Sequence, residues 1–221
     1  MSVSRDLSRP GAGRDAFSFT KRLKEIDKFF RGKDPVHGTM RRAARRLERA
    51  GIAYAVMGGM AVNAHRYQRT TRDVDLLLSR EGFAEFRKRF VGKNYVSTEG
   101  RPLRFTDRTS NVTVDILLTG RYPGSGDPGP IAYPDPKEVC QVIDRICVLD
   151  LATLVQLKLA ARRYQDFADV VNLIRFNDLD ESFAGQLHPS VRRDYVECLE
   201  EKRREDEYEA RRARLENDAG D

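Results

Sequence analysis

The sequence predicts an α+β fold of α/β-like character, with a small mixed β-sheet flanked by helices and a helical C-terminal part. Three observations carry this. Apolar residues recur at helical spacing between residues 19 and 51. Between residues 52 and 149 they fall into short runs, several alternating with period two, and these runs are interspersed with helical stretches. Beyond residue 149 the pattern is helical again.

Residues 1–15 are polar and rich in Gly, Ser and Arg, and are expected to form a disordered tail. A core with N-terminal helices is expected over 16–148, and a helical region ending in a long charged helix over 149–221. In the first helix Phe19, Leu23, Ile26 and Phe30 share a face, and Gly32 stops it. Met40, Ala43, Ala44 and Leu47 form the stripe of a second helix over 39–51, ended by Gly51. IAYAVMG (52–58) reads as a buried strand, GMAVNAHRY as a short helix, DVDLLLS as a strand and REGFAEFRKRFVG as an amphipathic helix. YVSTEG and LRFTDR are short strands, and NVTVDILLTG (111–120) alternates with period two. The Gly- and Pro-rich stretch 121–137 is a loop. VCQVID and ICVLD are two short strands around a tight turn at Asp144–Arg145. LATLVQLKLAARRY and QDFADVVNLIRFN are helices. A charged helix follows, whose Val191, Tyr195 and Leu199 serve its first two turns; the rest projects into solvent or meets a partner.

The chain of 221 residues suits one domain with appendages or two small ones. Its net charge of +6 is compatible with nucleotide or nucleic-acid partners, although acidic and basic residues are mostly interleaved. Cys140, Cys147 and Cys198 lack metal-ligand spacing and the three histidines are scattered, which argues against zinc. The cysteine usage suits a reducing cytoplasm, so a cytoplasmic location is expected. No run of 18 apolar residues and no apolar leader segment is visible, so no membrane partner is expected.

Side chains alternate faces along a strand. In DVDLLL, Val74, Leu76 and Leu78 take one face, and Asp73 and Asp75 the other. In NVTVDILL, Val112, Val114, Ile116 and Leu118 take the buried face, leaving Asp115 on the polar one. A single D-x-D is most often a pair of exposed strand carboxylates. Three carboxylates converging from two strands instead form a hard oxygen site suited to Mg²⁺ or Mn²⁺, and metal ions can clamp the oxygens of a phosphoryl transfer. The glycine pair Gly58–Gly59 precedes a short helix and would let backbone approach a phosphate. Arg66, Arg69 and Arg72 lie between glycines and aspartates and are candidates to meet a triphosphate, with Thr70 and Thr71 beside them.

Gly-Gly, thirteen residues, D-x-D and a later aspartate resembles the DNA polymerase beta-type nucleotidyltransferase superfamily, the matching stretches being GGMAVNAHRYQRTTRDVDL and TVDIL. KLAARRYQDFADVVNLI is similar to the K-x-x-A and D-x-x-D helical motifs of the AbiEii-type, MenT-like members, many of them toxins of toxin–antitoxin pairs. The resemblance spans about residues 50–177. It implies transfer of NMP from an NTP, with Asp73, Asp75 and Asp115 holding metal, Lys158 binding the triphosphate and Asp166 or Asp169 supporting the site. An antitoxin or other protein partner would follow from the same resemblance. The acceptor would be RNA such as a tRNA 3′ end, a protein hydroxyl or a small molecule, and the basic balance leans to RNA. Where many superfamily members carry Gly-Ser, this chain has Gly59.

Other patterns are set aside. GSGDPG (124–129) fits a dinucleotide fingerprint, but the prolines around it forbid the required helix. His65 reads as packed or solvated, and RRAARRLER (41–49) as a solvated helix face. The rival to an enzyme is a non-catalytic module of the same fold that binds nucleotide, RNA or protein. The D-x-D counts against it, because clustered carboxylates repel phosphate.

Overall fold

The computed structural model describes residues 19–218, and the expected tail at 1–15 lies outside them. Helix α1 (Phe19–Phe30) leads to α2 (Pro35–Arg49). The carboxylate of Asp34 caps α2 by accepting from the Val36 and His37 amides at 2.7 and 3.3 Å, and Pro35 occupies the first turn. This cap starts α2 four residues before the expected boundary. On α1 Phe29 is buried, against His37, whereas Leu23, Ile26 and Phe30 of the expected stripe stay exposed, and the Phe19 side chain lies outside the described ones. That helix is held at its C-terminal end.

The strands are β1 (Tyr54–Met57), β2 (Asp73–Leu78), β3 (Tyr95–Thr98), β4 (Arg101–Asp107), β5 (Thr113–Leu118), β6 (Cys140–Ile143) and β7 (Ile146–Leu149). Between them lie α3 (Gly58–Ala64) and α4 (Arg80–Phe90). They form one mixed sheet in the order β3-β4-β5-β2-β1-β7-β6. The β2–β5 and β1–β7 pairs are parallel and the others antiparallel. The turn Asp144–Arg145 has positive φ at both residues, the geometry that matches strand twist in a two-residue hairpin.

Val74, Leu76 and Leu78 of β2 are fully or almost fully buried, as are Val114, Ile116 and Leu118 of β5. Leu77 points to the aspartate face and is buried too. Only the N-terminal half of that face, which carries Asp73 and Asp75, is partly open. The chain closes with α5 (Leu151–Ala161), α6 (Tyr164–Phe176), a 3-10 turn and α7 (Pro189–Asp218). Val191, Tyr195, Cys198 and Leu199 bury the start of α7, while Tyr208 and Leu215 beyond them are exposed. No helix among the described residues is long and apolar enough to cross a membrane.

Two sequence patterns change meaning in the fold. Arg42 and Arg46 of the basic α2 face reach the fully buried Asp107 at 2.7 and 3.1 Å. Burial alone would raise the Asp107 pKa, but hydrogen bonds from Ser110, Arg42 and Arg46 hold it below the usual range. These two arginines tie α2 to the end of β4. Cys140 and Cys147 form a disulfide across the β6–β7 hairpin, with Cα atoms 5.3 Å apart. This departs from a reading of the cysteines as free thiols of a reducing compartment. Strand pairing, invisible in a cysteine count, brings them together.

Candidate active site

The parallel β2–β5 register sets Asp75 directly beside Asp115. Asp73, Asp75 and Asp115 each offer an oxygen, and these oxygens lie within 4.8 Å of one another. A hard cation with bonds of about 2.0–2.6 Å can reach all three. The Asp75 carboxyl is pushed up to about 7 by burial and by repulsion from Asp73 and Asp115, against a weaker pull from Lys158 and Arg163. Burial and two neighbouring carboxylates thus both disfavour the Asp75 anion, and a cation among the three oxygens would relieve the repulsion. Such a site, with oxygen donors alone, fits Mg²⁺ or Mn²⁺. Thr71 donates to Asp73 at 2.8 Å. Arg104 of β4, opposite Asp115 in register, grips that carboxylate through two hydrogen bonds of 2.7 Å.

The glycine pair has an immediate steric reason. Gly58 has φ +61°, and a Cβ there would stand 1.8 Å from Asp75 Oδ2. A Cβ on Gly59 would lie 2.8 Å from Thr71. No side chain fits where the β1–α3 junction crosses the aspartates. Sequence reasoning gives the pair to a phosphate; the geometry ties it to Asp75 and Thr71.

Lys158, Asp166 and Asp169 come together as a buried cluster. Lys158 Nζ donates to Asp166 at 3.0 Å and to Asp169 at 2.6 Å. Asp169 also accepts from Arg69 at 2.6 and 2.8 Å and from Gln165 at 3.1 Å. Burial would raise the Asp169 pKa, but Arg69 and Lys158 hold it low. Asn63 further secures the segment, bonding Gly59 and Arg69 backbone oxygens at 2.8 Å each. Arg69 is thus engaged in anchoring the chain ahead of Asp73. Arg66 is exposed and makes no hydrogen bond among the described residues. His65 is packed, with Nε2 2.7 Å from the Leu149 carbonyl oxygen.

The 121–137 loop folds back on this cluster. A Cβ on Gly124 would sit 2.7 Å from the Ala161 carbonyl oxygen, so the loop is packed against the end of α5. No helix opens at GSGDPG. Pro123 and Tyr133 join Gly58, Lys158, Arg163 and Asp166 around a cavity of about 40 Å³. Sequence reasoning does not single out Arg104, Tyr133 or Arg163. Arg104 is found only from strand register, and no local signal marks the other two.

A model of the aminoglycoside-2''-adenylyltransferase family matches residues 39–121. The matched segment carries the glycine pair and all three aspartates and is less than half of the chain. None of the curated proteins matches. Among solved structures, the chain is similar to an antigenic nucleotidyltransferase-like protein from Paracoccidioides brasiliensis at 15% identity and TM-score 0.42, covering 74% of this chain and 91% of that one. It is similar to ANT(2'')-Ia, solved with adenylyl-2''-tobramycin, at 11% identity and TM-score 0.41, covering 68% and 91%. It is also similar to JHP933 from Helicobacter pylori at 11% identity and TM-score 0.41, covering 76% and 74%. Scores this low fix neither substrate nor partner. The mixed seven-stranded sheet with flanking helices is an α+β fold.

Proposed function

We propose that the protein transfers a nucleoside monophosphate from an NTP to an acceptor hydroxyl. The observation that carries this is the convergence of Asp73, Asp75 and Asp115 within 4.8 Å, with only Asp115 paired to an arginine, Arg104, among the described residues. The family match over the same segment supports it. The three carboxylates would hold Mg²⁺ or Mn²⁺, which when bound neutralises phosphate charge and orients the reacting oxygens. In the reaction the acceptor oxygen bonds to the α-phosphorus as the bond to the α,β-bridging oxygen breaks. Pyrophosphate leaves with that electron pair, and the hydroxyl proton passes to water. The chain's own part is positioning: Thr71 orients Asp73, Arg69 anchors the segment before it, and Gly58 leaves room for the Asp75 carboxylate.

The family match favours a small-molecule acceptor such as an aminoglycoside hydroxyl. The net charge of +6 favours RNA such as a tRNA end as the second choice. A toxin role with an antitoxin or other protein partner, in the AbiEii-like manner, rests on K-x-x-A and D-x-x-D, which lie outside the matched segment. Consumption of NTP fits a cytoplasmic location.

A label-transfer assay tests the reading. Protein is incubated with Mg²⁺ or Mn²⁺, each α-labelled NTP, and an aminoglycoside panel, total RNA or cell lysate, beside Asp73→Ala/Asp75→Ala. Label in one acceptor class with the wild type alone is the expected result. Absence of both transfer and metal-dependent NTP binding overturns it in favour of a non-catalytic module.

A further inference from the structure

We propose that Arg163 and Tyr133, rather than Lys158, hold the β- and γ-phosphates of the NTP; this rests on the nucleotidyl-transfer reading above. The Lys158 side chain is 7% exposed and its ammonium lies between two carboxylates. A buried ammonium satisfied twice over has little to gain from a third anion, and leaving its partners would strand them unpaired. Arg163 differs in every respect. It shares one carboxylate, Asp166, at 2.5 and 3.3 Å, and its side chain is 72% exposed. When its guanidinium turns toward a phosphate, Asp166 keeps the bond from Lys158 at 3.0 Å, and the arginine fork matches phosphate oxygens two at a time.

The charge balance of the cluster points the same way. Lys158, Arg69 and Arg163 face Asp166 and Asp169, three cations against two anions. The surplus positive charge sits on the most exposed member, Arg163. The aspartates stand behind the Gly58 wall of the same cavity, since a Cβ on Gly58 would lie 1.8 Å from Asp75 Oδ2, and Asp75 feels the charge of Arg163. A triphosphate bridging a metal ion on one side and a cation on the other suits such a division. At about 40 Å³ the cavity takes part of a ligand, well short of the roughly 300 Å³ or more of a whole-ligand pocket.

Tyr133 completes the wall. Its ring is partly buried beside Asp75, Arg163 and Asp166, and its hydroxyl makes no hydrogen bond among the described residues. Backbone pairing fixes it: the Tyr133 amide donates to the Arg121 carbonyl at 2.7 Å, and its carbonyl accepts from Gly120 at 2.8 Å. The turn that presents Arg163 is likewise held, since Arg162 adopts a left-handed conformation and reaches Asp194 at 2.9 Å. Two donors on fixed backbone, one charged and one neutral, are aimed into a single small space.

The test is calorimetric binding of α,β-methylene NTP analogues, pyrophosphate and NMP in the presence of Mn²⁺, with Mn²⁺ binding measured alone. Arg163→Ala should weaken analogue and pyrophosphate binding about tenfold or more and leave NMP and Mn²⁺ binding within about twofold. Tyr133→Phe should weaken the same two ligands by a few-fold, and Arg163→Lys should restore part of the loss. Unchanged analogue and pyrophosphate affinity in Arg163→Ala, with a wild type that binds both, overturns the assignment alone. A wild type that binds neither NTP analogue nor pyrophosphate overturns the nucleotidyl-transfer reading, and this inference with it.

Discussion

Two charge clusters lie near enough for Lys158 to act on Asp75, and they are built on opposite principles. On α5, α6 and the segment before β2, Lys158, Asp166, Asp169 and Arg69 satisfy one another with hydrogen bonds of 2.6–3.0 Å. On β2 and β5, three carboxylates share a 4.8 Å space, with Arg104 and Thr71 as their direct side-chain partners among the described residues. The first cluster is complete within the chain, and its members are engaged in holding helices and loop together. The second is incomplete, and its carboxylates repel one another until something outside the chain joins them. Charge alone marks neither as functional; the unbalanced remainder does.

Substitutions should therefore act with opposite sign in the two clusters. Lys158→Ala leaves Asp166 and Asp169 buried with less compensation, and should cost about 3–5 kcal/mol, read as a lowered urea midpoint. A loss under about 1 kcal/mol would break the comparison. Asp75→Asn should do the reverse in metal-free buffer. A carboxyl held at about 7 in the folded chain, against 3.8 ordinarily, keeps its proton better when folded. Metal-free stability should fall as pH rises from about 4 to about 7 and level off above, by a few kcal/mol in all. Asp75→Asn should flatten that slope and be the more stable protein at pH 8 in EDTA. Mn²⁺ should stabilise the wild type at pH 8 more than at pH 6, and not stabilise Asp75→Asn. Thermal denaturation across pH, with and without Mn²⁺, checks all three.

Gly58→Ala sharpens the point by geometry instead of charge. Its Cβ would stand 1.8 Å from Asp75 Oδ2 at φ +61°. The strain should cost about 1–3 kcal/mol and push the Asp75 carboxylate out of place. Mn²⁺ titration should show metal affinity falling at least tenfold. If affinity is unchanged, Asp75 is not a ligand.

The difference between the clusters also tells how much of this was legible in the sequence. Period-two alternation in DVDLLL and NVTVDILL put Asp73, Asp75 and Asp115 on polar strand faces, because a strand's side-chain direction depends only on its neighbours. That β2 and β5 pair in parallel with Asp75 beside Asp115 depends on how intervening strands β3 and β4 are laid down, which no local pattern encodes. The Lys158 environment was hidden for the same reason. LVQLKLAA shows a lysine among apolar residues, but not that aspartates eight and eleven positions later fold back onto it. The resemblance assigned it to triphosphate; the tertiary structure surrounds it with carboxylates. The α2 start was readable in Asp34–Pro35, a cap followed by a first-turn proline.

Arg104 provides the smallest and most discriminating test, because it belongs to neither extreme. It binds Asp115 with two bonds of 2.7 Å, as a structural pair would, yet both side chains are partly exposed. Exposed pairs contribute little, so Arg104→Ala should change stability by about 0–1 kcal/mol. Its effect on the carboxylates should be larger in kind. Removing a positive neighbour and releasing Asp115 raises the net negative charge seen by an incoming cation. Mn²⁺ affinity should then rise by a few-fold at low salt, and the gain should shrink at high salt as the exposed charges are screened. A fall in affinity would mean that Arg104 orients Asp115 for the metal instead of competing for it. The two clusters would then follow one principle, a cation holding a carboxylate in place, and the contrast between them would be one of burial alone.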